Sequence, residues 1–285
     1  MKIIVAILLV LCASTWAAAE SSVWKAHKGD AVIYLGGTFH ILRATDFPLP
    51  PEFDKAYRAS DVVLFETDVD KLREPSTQQK LLAQGMYADG STIDKHLSDR
   101  SYGELSAYCA SNGIPLTALS RFKPSMLMMT LTLMELTKLG VTQQGVDTVF
   151  YERAQKDKKA VRGLETVDEQ ITLLISMADG DEDDFVSYSL RDMKTIRDQF
   201  EALEQAWRKG DAARLDELLV SEMKTEYPKL YRKLVLDRNR NWLSSIDALQ
   251  KSPGTKFILV GAAHLVGPDG LIEALRKRGY RVDKL

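Results

Sequence analysis

The strongest constraint on this chain is a plan that it uses twice. Ala31 to His40 reads AVIYLGGTFH: an apolar run rich in β-branched residues, two glycines and, three residues past the second, a histidine. Lys256 to His264 reads KFILVGAAH and repeats the arrangement. Each copy predicts a buried strand that stops at glycine, followed by a tight loop presenting an imidazole. With 17 glycines and 4 histidines in the chain, chance supplies roughly 0.2 Gly-x-x-His matches. Two matches, each closing a strand-like run, therefore point to one shared site. The plain alternative is a pair of unrelated loop histidines that cap hydrogen bonds.

The first nineteen residues read as an export signal. Lys2 is the positive start, Ile3 to Leu11 form a short apolar core, and Ala17 and Ala19 precede a cut before Glu20. Leu11 before Cys12 does not suit a lipoprotein cut, so the expectation is an exported, periplasmic protein with no stable membrane span. Residues 20–285 are long enough for one large domain with a sizeable core. A net charge of −2 and the lack of a basic run argue against nucleic acid and anionic membrane partners. Cys109 alone remains after the cut, which leaves no partner for an internal disulfide, and it reads as a small core residue.

Val23 to Leu35 reads as two strands joined by a Lys28-Gly29-Asp30 turn. Pro50-Pro51 opens a helix to Ser60, and Asp61 to Glu66, DVVLFE, is the next strand. Together with the first Gly-x-x-His strand it forms a βαβ unit of parallel, buried strands. A helical region covers about residues 78–158. Its centre, Pro124 to Leu139, is rich in methionine and leucine but too interrupted to cross a membrane. It predicts a buried bundle helix, with a greasy substrate groove as the alternative. Lys159 to Glu165 is a short strand, and Thr166 with Glu169 forms a capping box. A second, charged helical region runs over about 167–250. Lys256 to Gly261, a helix from Pro268 to Lys277 and a strand from Tyr280 to Asp283 complete the chain. The fold class is α/β (α+β), a central mixed sheet with long helical insertions.

Four strand runs end on His40, Glu66, Glu165 and His264. Ligands of open α/β sheets bind beyond the carboxyl ends of the strands. Two imidazoles with one or two carboxylates there make a divalent metal site, with mixed N/O ligands that suit Zn, Mn, Co or Fe. Gly37 and Gly261 would leave room for metal or substrate and permit positive φ. Asp68, two residues past Glu66, would share its strand face as a reserve ligand or supporting partner. Glu165 has a competing role at a helix start. The economical reaction is hydrolysis: an ion lowers the pKa of bound water, a carboxylate takes the proton, and a cation steadies the oxyanion. Arg238 and Arg240, in DRNRNW, are the candidate cations.

The series GTFH, LFETD, GVD at Gly145 to Asp147, GLETVDEQ, DRNRNW and GAAHLVGPDGL with a terminal GYRV resembles the TraB/GumN family, in that order and over essentially the whole mature chain. The resemblance implies two αβ halves around a central sheet, as in the wider superfamily of erythromycin esterases and a haem-binding ChaN-like branch. The related Tiki proteins are described as metal-dependent proteases. It further implies a site from both Gly-x-x-His motifs, a glutamate and an arginine, which fall on His40, His264, Glu66 and Arg238, with Glu165 as a further motif position. Asp147 matches GVD, where capping the next helix is the simpler role. The expected function is a metal-dependent hydrolase acting on a peptide or protein. The alternative is a non-catalytic peptide- or haem-binding protein of the envelope.

Overall fold

A computed structural model describes residues 21–250 and 252–285; the signal segment read over residues 1–19 lies outside them. The chain is mixed α/β. Six strands, β1 (Val23–Lys28), β2 (Ala31–Thr38), β3 (Val62–Phe65), β4 (Ala160–Gly163), β5 (Lys256–Gly261) and β6 (Arg281–Lys284), form one sheet. Its order is β4-β3-β5-β2-β1-β6. The four strands β4, β3, β5 and β2 run parallel, and β1 is antiparallel to both of its neighbours. Helices cover both faces of the parallel part, so β3 and β5 are apolar without alternation and almost wholly buried.

The helices that matter here are α1 (Pro51–Arg58), α2 (Pro124–Lys138), α3 (Val146–Lys156), α4 (Val167–Ile175), α5 (Glu182–Met193), α6 (Ile196–Lys209), α7 (Asp237–Gln250) and α8 (Leu271–Lys277). Among the described residues no helix is long and apolar enough to cross a membrane. Two short π-helical stretches, Glu217–Ser221 and Arg232–Leu236, precede α7.

Three readings of the sequence need correction. The β2 strand does not stop at its glycines but runs through them to Thr38, so only Phe39 separates the strand from His40. The two strands of the βαβ unit are parallel but not adjacent, because β5 from the far end of the chain lies between β2 and β3. The helix expected from Pro268 begins at Leu271. The β5 insertion is what unites the two copies of the motif: in the parallel register Thr38 pairs with Gly261 and Phe65 with Leu259. His40, Glu66 and His264 consequently leave the same edge of the sheet.

The core is aromatic. Phe53 of α1 packs its ring against Phe150 of α3, Trp207 of α6 and Phe257 of β5 at centroid distances of 6.1, 5.7 and 6.4 Å. Trp207 also donates its indole N–H to Gly37 O at 2.6 Å. Its own carbonyl accepts from Ser22 Oγ at 2.7 Å, so α6 is fastened to β2 just before the site. Cys109 is buried, as expected. The methionine-rich helix α2 is only partly so: Leu131 is fully covered while Leu133 and Met134 reach solvent.

Replacing a fully buried ring that touches three others removes its transfer free energy and leaves a cavity. Phe53→Ala should therefore lower the unfolding free energy by about 3–5 kcal/mol in a urea titration. Leu82→Ala, on an exposed helix face, should stay within about 0.5 kcal/mol of the parent.

Candidate functional site

The site is assembled from four strand ends and two helices. Beyond β5 a short 3-10 turn, Ala262–His264, carries His264 inward, where it is buried. Asn239 of α7 sets its orientation. The Asn239 side-chain amide donates to His264 O and Asp269 O, each at 3.1 Å, which turns Oδ1 toward His264 Nδ1 at 2.8 Å. Nδ1 must then carry the proton, and Nε2 is left as a lone pair facing the site. Burial pushes the His264 pKa down to about 3, with Arg238 and His40 adding to the effect and Glu66 opposing it. The ring is a neutral acceptor.

His40 differs in environment but not in orientation. Its side chain is more than half exposed. Its Nδ1 donates to Asp147 Oδ2 at 2.8 Å, since an ionised carboxylate can only accept. The Asp147 carboxylate is the main reason its pKa rises to about 9; burial works the other way and Glu66 assists. Asp147 is not a helix cap: Gly145 holds the N-cap position of α3, and the carboxylate of Asp147, the second helical residue, belongs to His40. Gly145 explains how the two segments meet. A Cβ there would lie 2.1 Å from His40 O, and Val146 N donates to Phe39 O at 2.9 Å. Only glycine allows the loop before α3 to pass this close to the loop after β2.

Glu66 is the shared centre. Its Oε1 lies 3.9 Å from His40 Nε2 and 3.9 Å from His264 Nε2, and it accepts from Gly261 N at 2.7 Å. Its Oε2 accepts from Arg238 Nη2 at 2.5 Å. Burial resists ionisation of Glu66, yet Arg238, both imidazoles and the Gly261 N–H together hold its carboxyl well below the usual range. A side chain at Gly261 would press on Glu66 Oε1 at 3.2 Å and His40 Nε2 at 3.4 Å. Neither Gly37 nor Gly261 has positive φ, and Gly37 makes room for Ala262 and Ser22 rather than for a ligand.

Arg238 lies, mostly covered, between two carboxylates. Nη2 donates to Glu66 and, at 2.7 Å, to Glu165 Oε1; Nε donates to Glu165 Oε2 at 3.0 Å. Nη1 donates to Leu234 O at 3.3 Å and to His264 Nε2 at 3.0 Å. All five N–H donors of the guanidinium are engaged. The indole of Trp242 lies under it, 4.6 Å from the guanidinium carbon, 4.5 Å from the His264 ring and 3.1 Å from Glu165 Oε2 through its N–H. Burial raises the Glu165 pKa, and Arg238 offsets part of the rise.

Several expected roles move accordingly. Glu165 spends both oxygens on Arg238 and Trp242, so it anchors the arginine and is not placed as a ligand. Asp68 lies past the end of β3, caps the helix Val69–Arg73 through Asp70 N and Lys71 N, and joins no group of the site. Arg240 is exposed and pairs with Asp237. Asn239 and Trp242 stood inside DRNRNW but were not read as functional. A signal for them existed in the helical spacing, which puts positions 238, 239 and 242 near one face. Thr38 was also missed: its buried hydroxyl, beside the site, has no hydrogen-bond partner among the described residues.

The donors suit a divalent ion in type and orientation: one carboxylate and two Nε2 atoms, each on a ring whose Nδ1 is held by an acceptor, with His40 giving up its Nε2 proton to bind. The 3.9 Å separations exceed the edge of about 3.4 Å expected for ligands about 2.1 Å from a tetrahedral ion. Among the described residues no group of three or more His, Cys, Asp or Glu side chains is gathered closely enough to hold an ion as it stands.

The sequence model of the TraB/PrgY/gumN family matches residues 22–284, and the chain belongs to that family. No curated protein and no solved structure matches it.

Arg238→Gln would strand two buried carboxylates. Removing one partner of such a group costs about 3–5 kcal/mol. The expected outcome is a loss of that size in chemical denaturation, whereas Arg240→Gln should leave the midpoint unchanged.

Proposed function

We propose that this member of the TraB/PrgY/gumN family is an exported metal-dependent hydrolase that cleaves amide bonds, with peptides as the substrate class. In this reading His40, His264 and Glu66 hold a divalent ion of the Zn, Mn, Co or Fe group. One observation carries the reading: both imidazoles have Nδ1 fixed by an acceptor and turn Nε2 to the same Glu66 oxygen. That is the orientation second-sphere partners impose on ligand histidines. Charge points the same way. Three carboxylates, Asp147, Glu66 and Glu165, stand in the cluster with one guanidinium, so it carries net negative charge even with His40 protonated. When bound, the ion would supply a water acidified toward neutral pH and polarise the scissile carbonyl.

The residues of the chain would do the rest. Asp147 keeps His40 in one tautomer, and Asn239 does the same for His264. Glu165 and Trp242 hold Arg238. Arg238 has no free donor for an oxyanion as placed, and the only N–H it could release without unpairing a carboxylate is the Nη1 hydrogen on His264 or on Leu234 O. Once the His264 lone pair is used as a ligand, that hydrogen becomes the donor available to developing negative charge.

Elemental analysis of protein purified without added metals tests this directly. The expected result is a transition metal near one equivalent in the parent and its loss, together with peptide cleavage, in His264→Ala. Equal metal content and activity in the two proteins would refute the assignment. The rival reading, a haem- or peptide-binding protein without chemistry, has one observation in its favour: exposed His40 opens onto an apolar cleft. Adding haem separates the two, because a Soret shift abolished by His40→Ala would support that rival.

A further inference from the structure

A cleft of 620 Å³ has His40, Glu66, Arg238 and His264 at one end. That volume is in the range that encloses small-molecule ligands. Its walls are mostly hydrocarbon, from Phe39, Leu136, Phe200, Leu203, Leu219 and Leu234, with Thr132, Ser189, Asp192 and Gln199 among them. Leu219 and Leu234 stand on the two π-helical stretches, Glu217–Ser221 and Arg232–Leu236. Such stretches are rare and recur at functional sites, and here both deliver an apolar side chain to one cleft. Ile41, Thr132, Leu136 and Ser189 are shared with a shallower depression of 230 Å³ lined by Met128, Met129 and Leu133 of α2 and neighbouring α5. An apolar path thus leads from the polar cluster out to the exposed end of the methionine-rich helix.

We propose that this path holds the hydrocarbon chain of a fatty-acyl amide whose carbonyl sits at the His40–Glu66–His264 cluster. The inference rests on the hydrolase reading and adds the acyl half of the substrate. A peptide occupant would bring an N–H and a C=O with every residue, each needing a partner. The walls offer few. Ser189 Oγ donates to Phe185 O, Gln199 Nε2 donates to Thr195 Oγ1, and Asp192 accepts from Tyr188 and Gln199. The β2 strand, which leads to the cleft, is paired on both sides and offers a peptide no ladder. The polar groups that open on the cleft are gathered at its head, in His40, Glu66 and Arg238, where an amide group would need them. In the reaction the oxygen of water bonds to the acyl carbon and the carbon–nitrogen bond breaks. One hydrogen of the water leaves on the amine and the other stays with the fatty acid.

The test uses the purified chain with dodecanoate and butanoate below micellar concentrations, and with the 4-nitroanilides of dodecanoic and acetic acid. Titration calorimetry should show dodecanoate binding at least about tenfold more tightly than butanoate, since each buried methylene adds favourable transfer free energy. Leu219→Trp and Leu203→Trp, which fill the cleft without touching the polar cluster, should each abolish most of that difference while the thermal midpoint holds. Dodecanoyl anilide should be cleaved with the higher kcat/KM, and His264→Ala should abolish the cleavage. Chain-length preference that survives both tryptophan variants, or no preference at all, overturns the acyl assignment. Binding preference lost in the tryptophan variants, with neither anilide cleaved, supports the cleft's occupant and refutes the hydrolase reading instead. Cleavage at equal rates for both anilides refutes the chain and keeps the hydrolase.

Discussion

The site depends on one buried cation. Arg238 touches Glu66, Glu165, His264 and the Leu234 carbonyl, and these come from the ends of β3, β4 and β5 and from the helix before α7. Two glutamates this close would repel each other, and burial alone would protonate them. The guanidinium removes both problems in one step, because its planar fork bridges two carboxylates. Replacing such a triad with hydrocarbon can be neutral for stability, so its value lies in geometry: it fixes how far apart the strand ends stand and which way the Glu66 oxygens point.

With Glu66 fixed, the two histidines become comparable, and their difference is informative. Both rings are turned the same way by an acceptor on Nδ1. One acceptor is charged and the other neutral. Asp147 makes His40 proton-hungry on the exposed side of the cleft, while burial keeps His264 neutral and Asn239 turns its lone pair to the site. Titratable neighbours whose environments drive them apart are how one site can hold an acid and a base at the same pH. The fold achieves this with a carboxylate from α3 and an amide from α7, neither of which belongs to the strands that carry the rings.

Much of the frame was legible in the sequence because strands buried on both faces are written as apolar runs, and glycine with histidine marks where they end. The convergence of positions 40 and 264 followed from that repetition. The order of strands did not, since nothing local in KFILVG says that it slots between β2 and β3. Side-chain roles were the least legible. Asp147 looked like a cap because its place at a helix start is a local fact, whereas its bond to His40 depends on Gly145 passing against the His40 backbone. Asp68 looked useful because strand alternation was extended two residues past the point where β3 ends. Asn239 and Trp242 were hidden because an amide and an indole on a charged helix have no signature until their partners are known.

The remaining question is why a polar cluster needing strict orientation sits at the head of a greasy cleft. Lower polarity around the cluster strengthens each of its electrostatic contacts and raises the cost of any buried group left unpaired. The cluster meets that cost almost completely, with all five Arg238 donors and both Nδ1 atoms satisfied. Two groups stand apart: the Nε2 of His40, 3.9 Å from the nearest carboxylate oxygen, and the hydroxyl of Thr38. Both lie on the short segment from Thr38 to His40, at the boundary between the polar cluster and the hydrocarbon walls. Of the two, the half-exposed His40 Nε2 is the one a ligand can reach, so the open bonding capacity of the cluster stands where a ligand with one polar and one apolar end would enter.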